Sequence, residues 1–136
     1  MGGRRPPRSG PAHVVVVEDD ITILSLICET LRDQGFQVRS TTAGDRALRI
    51  LASERPDLLI LDLNLPGVHG VSLAAAIREV WPAEVLPMLI ASALPKDIVV
   101  RTAEAASAYA YLLKPFELED LIAAVKRGVK LREGRN

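Results

Sequence analysis

The sequence predicts an α/β protein with a doubly wound, five-stranded parallel sheet and five helices. Short apolar runs alternate along the chain with longer segments in which apolar residues recur at helical spacing. Two of the runs, VVVV at residues 14–17 and LLIL at residues 58–61, are continuously aliphatic, which is typical of strands buried on both faces of a parallel sheet. Aromatic residues make up only 4% of the chain, and this favours an aliphatic α/β core over an aromatic-rich sandwich.

The first half of the chain predicts two strand–helix units. VVVV is too short and too rich in β-branched residues to favour a helix. The helix after it is predicted to begin behind Asp20, which should cap it, and to end near Gly35. A weak strand follows at residues 36–40, and a second helix lies near residues 45–52. The apolar residues that recur at helical spacing in the first helix are Ile23, Leu24, Ile27, Cys28 and Leu31.

The second half of the chain predicts three more units. The turn PGVHG leads from the third strand into the third helix. The strands are predicted at residues 58–61, 88–91 and 109–113, and the helices at about residues 71–80, from about residue 96, and from about residue 118. Right-handed crossovers leave few topologies for five such units, and the flavodoxin-like strand order 2-1-3-4-5 is the expected one.

The length of 136 residues suits one domain with a single core, which we expect at residues 13–131. Residues 1–12 are rich in Pro, Gly and Arg and are predicted to be a disordered tail or a remnant of an expression vector. Residues 132–136 are predicted to be a C-terminal tail.

Charge and hydropathy exclude several function classes. Lys plus Arg and Asp plus Glu number 17 each, so the formal net charge of zero argues against bulk electrostatic binding to nucleic acid or to an anionic membrane. No apolar run approaches the roughly 20 residues needed to span a bilayer. The single Cys28 has no partner for an internal disulfide, which fits a reducing compartment. We therefore expect a cytoplasmic domain that binds neither nucleic acid nor membrane directly.

Polar and charged side chains follow four of the predicted strands. They are Glu18, Asp19, Asp20, Asp62, Ser92 and Lys114. Because ligands of such sheets bind beyond the carboxyl ends of the strands, we expect these side chains to converge there. Clustered carboxylates need a counter-charge, and oxygen ligands with a partly open site suit Mg²⁺. The assembly suits a transferring phosphoryl group, with Asp62 as nucleophile and with Lys114 and Ser92 contacting phosphoryl oxygens.

Four motifs in order at strand ends identify a family resemblance. They are VVVVEDD, DLNLPGVHG, the pair Ser92-Ala93, and Lys114-Pro115-Phe116. With these motifs the sequence resembles the receiver domain of two-component response regulators over residues 13–131. Such domains accept a phosphoryl group and act as switches; they assist their own phosphorylation and dephosphorylation and are not conventional enzymes.

The resemblance implies a role for each matching residue. Asp62 would be the phosphoacceptor. Mg²⁺ would be bound by Asp19 and Asp62 directly, by Glu18 through water, and by the backbone carbonyl of Asn64.

The resemblance also implies the residues that sense the phosphoryl group. Ser92 would be the phosphate-sensing hydroxyl, Lys114 the phosphate-binding base, and Tyr111 the rotating aromatic switch. The peptide bond between Lys114 and Pro115 would be cis, an isomer that is accessible before proline.

The implied partners are proteins. The phosphodonor would be a histidine kinase or a histidine phosphotransfer protein, and phosphorylation would switch the face formed by helix 4, strand 5 and helix 5 to control a partner or an output domain. A phosphorylation-dependent homodimer and a protein target are both left open. The stretch SAYA at residues 107–110 replaces the acidic residues with which winged-helix relatives build their active dimer.

Two other functions compete with this interpretation. A haloacid-dehalogenase-like phosphatase also uses an Asp nucleophile and Mg²⁺, but it needs a second Asp two residues later as general acid and base, where this chain has Asn64. A pseudo-receiver would be an interaction module without phosphorylation, yet all five site positions carry competent residue types.

Overall fold

The structure is a computed structural model that describes residues 10–65 and 69–134, and within them five strands alternate with five helices. The strands are β1 (His13–Val17), β2 (Gln37–Thr41), β3 (Leu58–Leu61), β4 (Met88–Ser92) and β5 (Ala110–Leu113). The helices are α1 (Ile21–Asp33), α2 (Gly44–Glu54), α3 (Gly70–Val80), α4 (Lys96–Ala105) and α5 (Leu118–Gly134).

The five strands form one parallel sheet in the order β2-β1-β3-β4-β5, which confirms the predicted fold class and strand order. The order in which strands are added to the sheet therefore reverses between β1 and β3, and the carboxyl ends of these two parallel strands lie side by side. This is the point at which open α/β sheets bind their ligands.

The core lies in two layers, one on each face of the sheet. Val15 and Val17 pack with the apolar residues of α2, α3 and α4, whereas Val14 and Val16 pack with those of α1 and α5. This alternation follows from the two-residue period of a strand. The central strands β1, β3 and β4 are buried almost throughout. The edge strand β5 is half-buried, and the edge strand β2 alternates between exposed and half-buried residues up to the buried Thr41.

Local sequence signals account for the bounds of the first helix. The Asp20 carboxylate caps α1 by accepting hydrogen bonds from the backbone N–H groups of Thr22 and Ile23 at 2.9 and 3.1 Å, as predicted. Gly35 follows the end of α1 with a φ of +94°, a conformation that favours glycine.

Some sequence-based predictions differ from the structure or concern residues outside the described ranges. Helix α5 continues to Gly134, so part of the segment predicted to be a C-terminal tail is helical. Most of the predicted N-terminal tail and residues 66–68 of the PGVHG turn are outside the described residues. No helix in the two described ranges is long and apolar enough to cross a membrane.

Gly70 brings α3 into direct contact with the loop after β3. Its N–H donates a hydrogen bond to the carbonyl of Leu63 at 3.1 Å. A Cβ atom at this position would lie only 2.2 Å from Leu63 Cα, so only glycine permits this approach. The start of α3 thereby stays close to the end of β3.

Arg78 joins the ends of two helices. Its guanidinium donates hydrogen bonds to the carbonyls of Trp81 (2.9 Å) and Leu86 (2.7 Å), at the end of α3 and before β4. It also donates to the carbonyls of Ala106 and Ser107, which follow α4. Helix ends leave carbonyls without intrahelical partners. The Arg78 side chain supplies donors for such carbonyls and joins three segments of the chain.

Tyr109 joins the start of β5 to α5. Its hydroxyl donates a hydrogen bond to the carbonyl of Ala124 at 2.7 Å, and the Arg127 guanidinium lies 5.8 Å from the centre of its ring. A Cβ atom at Gly128 would lie 2.4 Å from the Tyr109 hydroxyl oxygen. A glycine inside α5 therefore makes room for the ring.

Candidate functional site

Two carboxylates and one ammonium meet at the carboxyl ends of β1, β3 and β5. The Nζ atom of Lys114 lies 2.6 Å from Oε1 of Glu18 and 3.4 Å from Oδ2 of Asp62. Three residues that the sequence predicts at strand ends therefore form one cluster. Lys114 is followed by a cis peptide bond to Pro115, which confirms that prediction.

Backbone hydrogen bonds between neighbouring strands hold each member of the cluster in place. The pairing continues one residue beyond the strand ends, so the three backbones are as fixed as the sheet itself. The bonds run from Asp62 N to Val17 O (2.9 Å), from Glu18 N to Thr41 O (3.1 Å) and from Lys114 N to Ser92 O (2.9 Å).

The carboxylate of Glu18 is in an unusual environment for an acid. Its side chain is only 2% exposed, and burial raises its pKa above the ordinary value. The charge of Asp62 acts in the same direction, while hydrogen bonds from Lys114 and from the backbone N–H of Asp20 act against it. The Asp20 N–H lies 3.0 Å from Glu18 Oε2, so both carboxylate oxygens have a donor.

The two oxygens of Asp62 face different groups. Oδ2 faces the Lys114 ammonium at 3.4 Å, and Oδ1 accepts a hydrogen bond from the backbone N–H of Asn64 at 3.1 Å. The Asn64 side chain is exposed, so this residue contacts Asp62 through its backbone.

The structure does not form the predicted cluster of three carboxylates. The Asp19 side chain is exposed, while the Lys114 ammonium lies between Glu18 and Asp62. Across residues 10–65 and 69–134, no three His, Cys, Asp or Glu side chains are grouped closely enough to hold a metal ion. Asp20, which shares the motif, is engaged as the cap of α1.

The donor chemistry of the cluster nevertheless fits Mg²⁺. The ligands that converge are oxygen atoms, the kind that hard divalent cations prefer. Two buried carboxylates face one ammonium, so the charges leave an excess negative charge when both acids are ionised. Asp19, exposed beside Glu18, adds a carboxylate that can approach from the solvent side.

Ser92 and Tyr111 lie on the neighbouring strands β4 and β5. Ser92 is fully buried, and its hydroxyl oxygen accepts a hydrogen bond from the backbone N–H of Leu94 at 3.1 Å. Tyr111 pairs with Ile90 of β4. Its ring is half-buried and packs against the core on the α2–α4 face of the sheet.

An apolar surface borders the cluster on the side of α1. A cleft of about 410 Å³ lies between α1 and the loop after β5, and Ile23, Leu26, Phe116 and Lys114 are among its lining residues. On α1, Leu26 is 47% exposed and Ile21 is 66% exposed. Exposed apolar side chains and the cleft therefore lie beside the charged cluster.

Sequence reasoning missed Thr41 as a part of this site. Its carbonyl holds the backbone of Glu18, and its buried hydroxyl accepts a hydrogen bond from the N–H of Ala43 at 3.1 Å. The signal was present, because Thr41 ends β2 directly beside the acidic end of β1, but β2 was the weakest predicted strand.

Comparisons with known proteins match the chain to one domain family. A family model described as the response regulator receiver domain matches residues 14–126. The chain is 38% identical over 120 residues to the transcriptional regulatory protein PrrA of Mycobacterium tuberculosis, covering 88% of this chain and 51% of that protein. It is 36% identical over 113 residues to the phosphate regulon transcriptional regulatory protein PhoB of Rhizobium meliloti, covering 83% of this chain and 50% of that protein. The chain thus spans about half the length of the curated relatives that it matches.

Solved structures give the same result for the fold. A CheY-like response regulator receiver domain protein from Methanospirillum hungatei superposes with a TM-score of 0.87 at 21% identity, covering 93% of this chain and 100% of that one. The chemotaxis response regulator CheY4 of Vibrio cholerae superposes with a TM-score of 0.78 at 29% identity, covering 87% of this chain and 98% of that one.

Proposed function

The chain belongs to the response regulator receiver domain family, and from this membership we propose that Asp62 accepts a phosphoryl group from a phosphohistidine. The observation that carries the proposal is the convergence of Asp62, Glu18 and Lys114 within 3.4 Å contacts at the switch point of the sheet. A buried carboxylate beside a positioned ammonium suits a nucleophile whose product carries additional negative charge.

The chemistry assigned to Asp62 is a transfer from nitrogen to oxygen. A carboxylate oxygen of Asp62 attacks the phosphorus atom, the bond between phosphorus and the imidazole nitrogen breaks, and the nitrogen keeps the electron pair. Lys114 Nζ, at 3.4 Å from Asp62 Oδ2, is within reach of a phosphoryl oxygen on that atom. Its positive charge then stabilises the phosphorylated state more than the free carboxylate.

We assign the Mg²⁺ site to the residues around this nucleophile. Asp19 and Asp62 would bind the ion directly, Glu18 through water, and Asn64 through its backbone carbonyl; the ion supplies positive charge for the phosphoryl oxygens. The excess of carboxylate over ammonium at the cluster supports this assignment. Rotation of the exposed Asp19 side chain toward Asp62 would complete the oxygen set.

The partner in the transfer is a histidine kinase or a histidine phosphotransfer protein, in the cytoplasm. Such a donor must bring its phosphohistidine to Asp62, and it therefore covers the rim of the site. The exposed Ile21 and Leu26 of α1 and the apolar cleft beside Lys114 offer the contact area that a transient complex needs.

The output of the transfer is a change at the face formed by α4, β5 and α5. Ser92 ends β4 one strand away from Asp62, and Tyr111 lies on the neighbouring β5. We assign Ser92 as the hydroxyl that contacts the phosphoryl group and Tyr111 as the ring that follows it. A partner protein, an output domain or a second copy would then meet the altered face.

The test is the mass of the intact protein after incubation with Mg²⁺ and acetyl phosphate. The wild type should gain one phosphoryl group, Asp62→Asn should gain none, and Asp45→Asn, which changes an exposed acid on α2, should match the wild type. Equal labelling of Asp62→Asn would remove Asp62 from the role.

The same reaction separates the two competing functions. A receiver accumulates an acyl phosphate in amounts equal to the protein, whereas a phosphatase releases phosphate over many turnovers. A pseudo-receiver does neither. Asn64, at the position where a phosphatase needs its general acid and base, favours accumulation.

A further inference from the structure

A second concentration of charge lies at the β2 edge of the sheet. The cleft there, about 440 Å³ in volume, lies between β2 and α2; we call it the basic groove, and Arg39, Ser40, Arg46, Arg49, Ile50 and Ser53 line it. Because β2 is an edge strand, the groove opens to solvent. It is formed by a different pair of elements from those that hold the phosphoacceptor.

The charges of the basic groove are not balanced. Three of its six lining residues are arginines and none is acidic. Arg39 lies 3.4 Å from Glu54, but the same carboxylate also lies 3.3 Å from His13. Among the described residues, no carboxylate forms an ion pair with Arg46 or Arg49.

The spacing of the arginines concentrates positive charge on one flank of α2. Arg46 and Arg49 are three residues apart on α2, so they are neighbours on one flank of the helix, where like charges destabilise it. Arg39 approaches the same groove from the adjacent strand. Since the whole chain has no net charge, the three arginines form a local concentration of positive charge that attracts anions.

The lining of the groove narrows the class of anion. Guanidinium groups present donors in a planar fork that matches the oxygens of phosphate, and a cleft of about 440 Å³ has room for a small anion. The lining has no aromatic ring on which a nucleic-acid base could stack. Its one large apolar residue, Ile50, offers little anchorage for a peptide.

We propose that the basic groove binds a small ligand carrying phosphate groups, independently of Asp62. The guanidiniums of Arg46 and Arg49 contact the phosphate oxygens directly. Arg39 exchanges its contact with Glu54 for the ligand or shares it. Binding at this edge leaves the rim of the phosphoacceptor site and the α4–β5–α5 face accessible.

The experiment titrates pyrophosphate into the protein in EDTA and low salt, followed by calorimetry and by the side-chain Nε–Hε resonances of the arginines. The resonances of Arg46 and Arg49 should shift, while that of Arg101, an exposed arginine of α4, should not. Arg46→Gln and Arg49→Gln should each weaken binding by about tenfold, the loss expected for one charge-assisted contact. The matched variant Arg101→Gln should bind as the wild type does.

Two further measurements make the outcome decisive. Asp62→Asn should bind pyrophosphate as tightly as the wild type, so failure of the phosphoacceptor assignment leaves this proposal untouched. Circular dichroism should show that the two glutamine variants are folded, since both change exposed side chains. Uniform shifts of all exposed arginines, equal binding by the Gln variants, or loss of binding in Asp62→Asn would each overturn the proposal.

Discussion

Lys114 contacts two carboxylates in the structure, and Glu18 is the nearer of them. The sequence indicates a lysine that binds a phosphoryl oxygen, but its ammonium lies closer to Glu18 (2.6 Å) than to Asp62 (3.4 Å). The sequence places these groups at neighbouring strand ends, yet it does not determine which pairs form. Lys114 therefore pairs with a buried acid, and in its proposed role it would divide its charge between Glu18 and the phosphoryl group.

Tyr109 gives a residue-scale prediction outside this site. Tyr109→Phe removes the hydroxyl that donates to the Ala124 carbonyl, and the variant should lose about 1 kcal/mol of unfolding free energy at pH 8. Burial raises the pKa of Tyr109 above its ordinary value. Since the folded pKa is the higher one, this tyrosine's contribution is complete below about pH 10, where the unfolded chain begins to ionise, and it declines as the pH rises further.

Urea unfolding of the two proteins at pH 8 and at pH 10.5 measures this difference. The advantage of the wild type should shrink at the higher pH. Tyr111→Phe, which removes the other phenol near β5, controls for the loss of a hydroxyl at a half-buried position. Equal stability of Tyr109→Phe and the wild type at pH 8 would show that the Ala124 contact contributes nothing.

At the scale of elements, β4, β5 and α4 together form the switch that we assign. A phosphoryl group at Asp62 would carry roughly two negative charges in place of the single charge of the carboxylate, and it would bring strong acceptor oxygens. The Ser92 hydroxyl can donate to them, and further burial of the Tyr111 ring is worth about 1–2 kcal/mol. This is comparable to a typical coupling energy between two sites, so phosphorylation should shift a balance between two populated states.

Ser92→Ala tests that coupling. The variant should still be phosphorylated at Asp62, because its nucleophile and Lys114 are intact, but resonances around Tyr111 should change less than in the wild type. NMR spectra with and without a phosphoryl mimic provide the comparison, and Thr102→Ala, which removes a hydroxyl inside α4, is the control. A full response in Ser92→Ala would mean that Tyr111 follows phosphorylation by another route.

Most elements could be predicted from the sequence because their apolar patterns agree with burial. The strands at residues 14–17, 58–61 and 88–91 are central and buried, so their runs are unmistakable. The edge strands are less apolar, and their patterns are weaker. The observed bounds of β1, β2, β4 and β5 each differ from the predicted ones by a single residue at one or both ends. The contacts of Tyr109 could not be predicted, since they depend on how closely α5 approaches the sheet at Gly128.

At the scale of the whole molecule, the proposed Mg²⁺ site would link metal binding to stability. An ion bound there in the folded state should raise the midpoint of thermal unfolding by several degrees, because a ligand at 100 times its dissociation constant adds about 2.7 kcal/mol. Asp19→Ala should abolish this rise. Asp20→Ala should lower the midpoint through the lost helix cap and yet retain the response to Mg²⁺.

Differential scanning calorimetry in EDTA and in saturating Mg²⁺ makes both measurements on the same samples. The Asp20→Ala control distinguishes the loss of a metal ligand from the loss of a neighbouring acid that only caps α1. An unchanged Mg²⁺ response in Asp19→Ala would contradict the ligand assignment.

The hydrogen bonds of Arg78 anchor the C-terminal end of α4. The guanidinium ties the carbonyls after the C-terminal end of α4 to those at the end of α3, while the opposite end begins at Pro95 without a side-chain cap. That uncapped end follows directly after Ser92-Ala93-Leu94. We expect a small displacement at Ser92 to move the N-terminal half of α4 more than it moves Ala105 and Ala106. Hydrogen exchange with and without a phosphoryl mimic should locate the change near Ile98, and an equal change at Ala106 would rule out this anchoring.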